Sequence, residues 1–335
     1  MKSFIKKSIY KTICQFNLPQ LLQNRIANNA LSIITYHAIV ENKLPVDDWC
    51  FLNASSFRKQ VIYLKNNFNV VKLSEAIRLL ANGRIERPTA VVTFDDGFQN
   101  NYDIAFPILR DAGIHATIFL STFYVDSEYT LWFCRINRAI EKTKKKHLDW
   151  NGCVYHLNNN KAHASALIQE KLKELPHSQL IIESDNIIRM LGDNPHAAIP
   201  FGSPYRMLSI VAIRKMLQSS LIEFGAHTHT HAILSNISTE EKKKELETSV
   251  EQIEHLTGRP CYVFAYPNGG INDFDQEAID LLNACGIKAA VSMIPGPNYK
   301  ETHPMYLRRY GISSNTDLCR FNTIVHHFRW KYKRF

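Results

Sequence analysis

Apolar positions alternate along this chain between two rhythms. Short β-rich runs stand at Leu31–Tyr36 (LSIITY), 69–72 (NVVK), Thr89–Phe94 (TAVVTF), 116–121 (ATIFLS), Ile222–Ala226, 262–265 and Ala289–Val291. Their length and β-branched content predict buried strands. Between them, helical spacing predicts helices over 57–66, 73–82 (with Ser74 as N-cap), 102–112, 239–256 and 276–285. Strand and helix in alternation predict an α/β fold with parallel strands.

The rhythm breaks from about residue 126 to 205, a polar stretch rich in Asn, Lys and His. Helical signal survives there at 131–141 and 164–175, so the stretch reads as a helical insertion in the same domain. At the start, Ile5, Ile9, Ile13 and Phe16 recur at helical spacing with lysines between them. Residues 1–28 are therefore expected to form an amphipathic segment, either lying on an anionic membrane surface or packing on the chain's own domain. The main domain is expected over 29–320, and a basic aromatic tail over 321–335, ending FRWKYKRF.

Composition narrows this picture. With 335 residues, 45% hydrophobic and 21% charged, the chain is not disordered and suits one large domain or one domain with an insertion. The formal charge of +9 fits an anionic membrane, a polyanionic glycan or simple solubility. Nucleic acid would fit too, but no nucleic-acid motif accompanies the charge, so no nucleic acid is expected as a partner. Seven cysteines (Cys14, Cys50, Cys134, Cys153, Cys261, Cys285, Cys319) are odd in number and scattered, which predicts isolated thiols in a reducing compartment. Lys2, Lys6, Lys7 and Lys11 interrupt any apolar leader, and no run nears the roughly 20 apolar residues of a membrane span. The expected location is cytoplasmic, or peripheral at the inner membrane.

Three clusters carry candidate chemistry. TAVVTF ends in Asp95-Asp96-Gly97. Adjacent carboxylates repel and need a cation nearby, although Asp-Gly is also a common turn. Residues 225–231 read GAHTHTH. In an extended strand His227, His229 and His231 would share a face; in a turn His227 and His231 would converge instead. Imidazole with carboxylate is a normal zinc set, while surface histidines are the plainer reading. Residues 262–270 (YVFAYPNGG) form a strand and turn whose N–H groups could hold an oxyanion. Metal ligands, a spare carboxylate and backbone donors together describe a hydrolytic site.

The order TFDDG, HTxxH and FAYP, with an early ITYH, resembles the polysaccharide deacetylase superfamily over roughly residues 30–125 and 205–315. Within it, the motifs resemble the branch of poly-N-acetylglucosamine, exopolysaccharide and O-antigen deacetylases. The resemblance implies a distorted (β/α) barrel with fewer than eight repeats and its site at the strand C-termini. It implies Asp95 as catalytic base, Asp96, His227 and His231 as metal ligands, the Asn268 N–H at the oxyanion, and His37 as general acid. His229 falls at a variable position and is not counted a ligand. Ala265 stands where common members carry an arginine, and Arg309 in LRRYGI is expected to supply that charge. The usual C-terminal Leu-x-His is absent, since His303, His326 and His327 lack the context. The implied cofactor is a divalent metal, zinc first, with Co²⁺, Ni²⁺ or Mn²⁺ also served by this ligand set. The implied substrate is an N-acetylated glycan or lipid-linked oligosaccharide, and the implied reaction releases acetate. A metal-dependent amidohydrolase acting on a non-sugar amide, and a non-catalytic glycan-binding relative, are the competing readings. Trp132, Phe133 and Tyr205 are expected in the core, with sugar stacking as the alternative.

Overall fold

A computed structural model describes residues 29–158 and 160–327. The amphipathic segment expected over 1–28, and residues 328–335 of the tail, lie outside the described residues.

In chain order the elements are β1 (Leu31–Tyr36), β2 (Ala38–Val40), β3 (Phe51–Asn53), α1 (Ala54–Asn67), β4 (Asn69–Val70), α2 (Leu73–Ala81) and β5 (Thr89–Phe94). A π-helical turn (Asn101–Ala105) then enters α3 (Phe106–Ala112), followed by β6 (Ala116–Leu120). The inserted stretch holds α4 (Trp132–Lys142), β7 (His147–Trp150), β8 (Cys153–His156), α5 (Lys161–Leu172) and α6 (His177–Met190). The alternation resumes with α7 (Ile210–Leu217), β9 (Ile222–Ala226), α8 (Thr239–Thr257), β10 (Val263–Ala265), α9 (Gln276–Ala284), β11 (Ala289–Val291), β12 (Tyr310–Gly311) and α10 (Leu318–Val325).

Seven strands form one parallel path, β11-β10-β9-β6-β5-β1-β12, with β4 paired to the lower half of β5. The path curls back on itself. Leu307 bridges Val291 of β11, and three residues later β12 pairs with β1 through Ile34–Tyr310. The result is the distorted (β/α) barrel with fewer than eight repeats.

Strand side chains alternate between the two faces. Leu31, Ile33, Val91, Phe119, Val263, Ala265, Ala289, Val291 and Leu307 form an inner cluster, plugged at one end by Leu73, Ala76 and Leu80 of α2. The intervening residues, such as Ile34, Val92, Ile118, Phe224 and Phe264, pack outward with the helices. Gly225 lies in the inner register because a Cβ there would meet the Phe119 ring and the Val263 carbonyl at 2.7 Å.

Several expectations need correction. Ser74 is not the N-cap of α2. The helix begins at Leu73, and Lys72 at the cap makes no side-chain bond. The barrel floor caps it instead: Leu73 N donates to Thr117 Oγ1 and Ser74 N to Glu223 Oε2, both at 3.2 Å. A carboxylate suits the positive end of a helix, so a tertiary partner replaces the local one. The folded unit also runs past residue 320, because α10 buries Phe321, Ile324 and Val325 in the core. Cys50, Cys134, Cys153, Cys261 and Cys285 are free thiols, but Cys319 is disulfide-bonded, so not every thiol is isolated. The insertion is more ordered than its patchy signal suggested. Its helices and the β7–β8 hairpin share a second core, which Ala38, Val40 and Phe51 join from the strands beside the barrel mouth. Trp132, Phe133 and Tyr205 belong to that core. No helix of the described residues is long and apolar enough to cross a membrane.

Candidate active site

The inner register carries chemistry upward along each strand. Thr35, Thr93 and Asp95 follow the apolar residues of β1 and β5, and His227 follows Gly225 on β9. Alternation would turn Asp96 outward. Instead its backbone takes φ +75°, as does Gly97 at +83°, and both adjacent aspartates enter the barrel mouth. At φ +83° a side chain on Gly97 would be strained, and its Cβ would also press on Leu120 Cδ2 at 2.7 Å, so glycine suits this turn.

The histidine motif is a turn rather than a strand, with positive φ at Thr228 and His231. His227 and His231 converge, their ring centroids 5.0 Å apart. His229 points elsewhere, sharing a 2.9 Å hydrogen bond with Thr122 Oγ1. One ligand atom each from Asp96, His227 and His231 lie within 4.8 Å of one another. Asp96 Oδ1 is 3.5 Å from His227 Nε2 and 3.3 Å from His231 Nε2. His227 Nδ1 donates to the Ala265 carbonyl at 2.7 Å, which leaves Nε2 free to face inward as a lone pair. Neither carboxylate oxygen of Asp96 has a hydrogen-bond partner although both are buried. Such a group is costly unless a cation meets it. Two imidazole nitrogens and this orphaned carboxylate therefore fit a divalent ion. Burial would raise the Asp96 carboxyl, but the two histidines outweigh it and hold it well below the usual carboxylate range. Conversely, burial would lower His227, and the two aspartates raise it.

Arg309 sits beneath this cluster, fully buried. Its Nη1 and Nη2 donate to Asp95 Oδ1 at 2.7 Å and Oδ2 at 2.8 Å. Nη1 also reaches Thr35 Oγ1 at 2.6 Å, and Nε donates to the Ser292 carbonyl at 2.9 Å. The forked pair outweighs desolvation, so Asp95 is held below its ordinary value. The charge missing at Ala265 thus arrives from the segment that closes the barrel.

His37 follows β1, buried, with its ring edge against Trp49 at 4.8 Å between centroids. Its Nδ1 has no partner. Burial lowers its pKa, and Asp96 and Asp95 only partly oppose this. Asn268 adopts φ +60° after Pro267, with an exposed side chain between Lys173 Nζ (2.9 Å) and Asp273 Oδ2 (2.7 Å). His37, Asp95, Asp96, His227, His231 and Asn268 all line one cleft, and Arg309 supports it from below.

Trp132 and Phe133, packed in the second core, also line the cleft wall, whereas other groups there escaped the sequence reading: Gln169, Lys173, Leu175, His177 and Leu180 from the insertion, and Trp49 and Cys50 from the β2–β3 loop. Behind the wall, Glu245 of α8 holds the histidine turn. Its Oε2 accepts from His229 N and Thr230 N, and its Oε1 from Thr230 Oγ1, all within 2.8 Å. One glutamate in a highly charged helix offers no sequence signal for that role.

Known proteins share this fold. The streptococcal deacetylase PplD from Streptococcus pyogenes, solved in complex with acetate, superposes with a TM-score of 0.59 at 17% identity, covering 88% of this chain and 98% of that one. IcaB from Ammonifex degensii gives 0.57 at 17% identity, covering 89% and 97%. At these identities the likeness is one of fold. In sequence, the poly-beta-1,6-N-acetyl-D-glucosamine N-deacetylase of Staphylococcus epidermidis is 32% identical over 113 residues, which is 30% of this chain and 38% of that protein's length. The profile of the polysaccharide deacetylase family matches residues 82–290, from the turn after α2 to β11. That span is more than half the chain and holds the aspartate pair and the histidine turn, and the chain belongs to the polysaccharide deacetylase family.

Proposed function

We propose that this protein is a metal-dependent hydrolase that removes N-acetyl groups from amino sugars of a bacterial surface polysaccharide or its lipid-linked precursor. The observation that carries the reading is the buried Arg309–Asp95 fork standing beside the Asp96–His227–His231 cluster in one cleft. A base kept ionised next to a three-ligand site is what hydrolysis of an unactivated amide needs.

Asp96, His227 and His231 would hold the ion, zinc by first expectation. When bound, it supplies polarisation of the acetamide carbonyl and acidification of water. Asp95 takes the proton of the attacking water. Arg309 keeps that carboxylate charged and fixes both its oxygens, so the base cannot rotate away. The Asn268 N–H faces the tetrahedral oxyanion, and one such donor is typically worth about 3 kcal/mol. His37 protonates the departing nitrogen. Burial lowers its pKa, which strengthens the imidazolium as an acid while reducing its share at neutral pH. The products are acetate and an amino sugar carrying a new positive charge.

The test is acetate release from N-acetylhexosamine oligomers, with chelator and with Zn²⁺ restored. Chelator-sensitive, zinc-restored release supports the reading. A metal-loaded protein that releases acetate from none of them, yet cleaves a small cyclic amide, would replace it with the non-sugar amidohydrolase.

A further inference from the structure

We infer that Lys173 makes the cleft selective for N-acetylated glycans bearing a negative charge, carboxylate or phosphate, close to the reacting acetamido sugar. The inference rests on the deacetylase reading and adds the substrate's charge class.

Lys173 caps the C-terminus of α5, where the chain turns through 173–176 into α6. This turn is tied to the histidine loop at two points. Asn236 Nδ2 donates to the carbonyls of Lys173 (2.8 Å) and Leu175 (3.4 Å). Thr230 Oγ1 gives its proton to Glu245, so it accepts from His177 Nε2 at 3.0 Å. The insertion therefore presents Lys173, Leu175 and His177 as a fixed wall of the cleft.

The charge on that wall has no direct ion-pair partner among the described residues; the carboxylate of Asp273 reaches it only through the Asn268 amide. An ammonium has three protons to donate. Lys173 gives one to the neutral Asn268 Oδ1 at 2.9 Å, and no other acceptor or ion-pair partner meets it among the described residues. The carboxylates lining the cleft make no contact with it: Asp95 is forked by Arg309, and Asp96 faces the two histidine nitrogens across the candidate metal position. Lys171, two residues earlier and exposed, shows the contrast by pairing with Glu174 at 3.0 Å. A lysine at a helix C-terminus gains from the helix dipole wherever its head points. The dipole alone leaves unexplained why this one leans, half-buried, over the reaction cleft toward Asn268. A carboxylate or phosphate on the glycan would take its two remaining protons as charge-assisted bonds.

Three probes test this with full-length, zinc-loaded protein: a neutral N-acetylglucosamine pentamer, an oligomer alternating N-acetylglucosamine with glucuronate, and UDP-N-acetylglucosamine. The wild type should prefer one charged probe over the pentamer, and which one separates carboxylate from phosphate. Lys173→Gln should cut the charged-to-neutral ratio of kcat/KM by about tenfold, chiefly through KM, and Lys173→Arg should restore it. The preference should weaken as NaCl is raised. Equal use of all probes by the wild type, or equal loss on charged and neutral probes in Lys173→Gln, overturns the inference. Equilibrium binding of the same probes to Asp95→Asn separates the two proposals. Lys173-dependent binding of a charged probe without any acetate release from wild type would sink the deacetylase reading and leave the charge selectivity standing. Acetate release without charge preference would do the reverse.

Discussion

Replacing Arg309 by Met removes a guanidinium that makes four hydrogen bonds of 2.9 Å or less, two of them to Asp95. Methionine keeps an apolar stem of similar length beside Phe119, over which the guanidinium now lies at 5.8 Å. Asp95 then stands buried and unpaired. Breaking one side of a buried pair costs about 3–5 kcal/mol, because the remaining charge loses its partner without regaining water. The pH dependence follows in sign. Burial pushes the Asp95 carboxyl up, and at present Arg309 more than offsets it. Without Arg309 the carboxyl must rise. The wild-type pair contributes stability above the unfolded pKa, and that contribution fades as pH falls through the folded value. The deficit of Arg309→Met should therefore be largest at neutral pH and shrink in acid, where Asp95 protonates. Urea unfolding at pH 7 and pH 5 reads this directly, and the acid limb of kcat/KM should move to higher pH. Ala265 shares the barrel interior with Phe119, so adding Ala265→Arg offers a second guanidinium and should move the limb part of the way back. A loss below about 1 kcal/mol, together with an unmoved acid limb, would refute the idea that this buried fork keeps the base charged.

Asp96→Asn should lower zinc affinity at least about tenfold, read by competition with a chromophoric chelator, since the anionic ligand is gone; full retention removes Asp96 from the ligand set. His37→Ala should slow turnover by about a hundredfold or more with zinc content unchanged, and an unaffected rate would return the acid role to another group. Glu245→Ala frees the two N–H groups and the hydroxyl that it now holds, so zinc affinity should fall although Glu245 is no ligand, and Glu245→Gln should recover part of it. Asp48 is buried, which raises its carboxyl to about 6 from 3.8, so its contribution to stability is full below pH 3.8 and is lost as pH climbs through 6. That slope, roughly 3 kcal/mol in all, should flatten in Asp48→Asn when urea melts are compared at pH 4 and pH 8, and identical slopes would contradict the assignment.

The strand positions were legible because a buried parallel strand is a short apolar run, and TAVVTF, IEFGA and AAV need no partner to be recognised as such. The aspartate pair and the histidines were legible because they stand where those runs stop. Ser74 misled because its chemistry suits a cap, while Glu223, distant in sequence, does the capping. Helix α6 was hidden for a different reason: Ile181 and Ile182 follow Leu180, and Ile182 is 59% exposed, so no single apolar stripe marks its buried face. The wall of the cleft was out of reach altogether. Lys173, His177 and Trp49 gain meaning only once the insertion and the β2–β3 loop fold over the barrel mouth, and periodicity carries no trace of that placement.

The seam of the barrel has a consequence for how the protein comes into being. The segment 307–311 that joins β11 to β1 is among the last parts of the domain to be synthesised, and it also carries Arg309. Until it emerges, the nascent chain holds two open strand edges and a bare aspartate in its interior. The pairing of Asp95 and topological closure therefore arrive in the same step, and a chain cut short before residue 307 forfeits both at once.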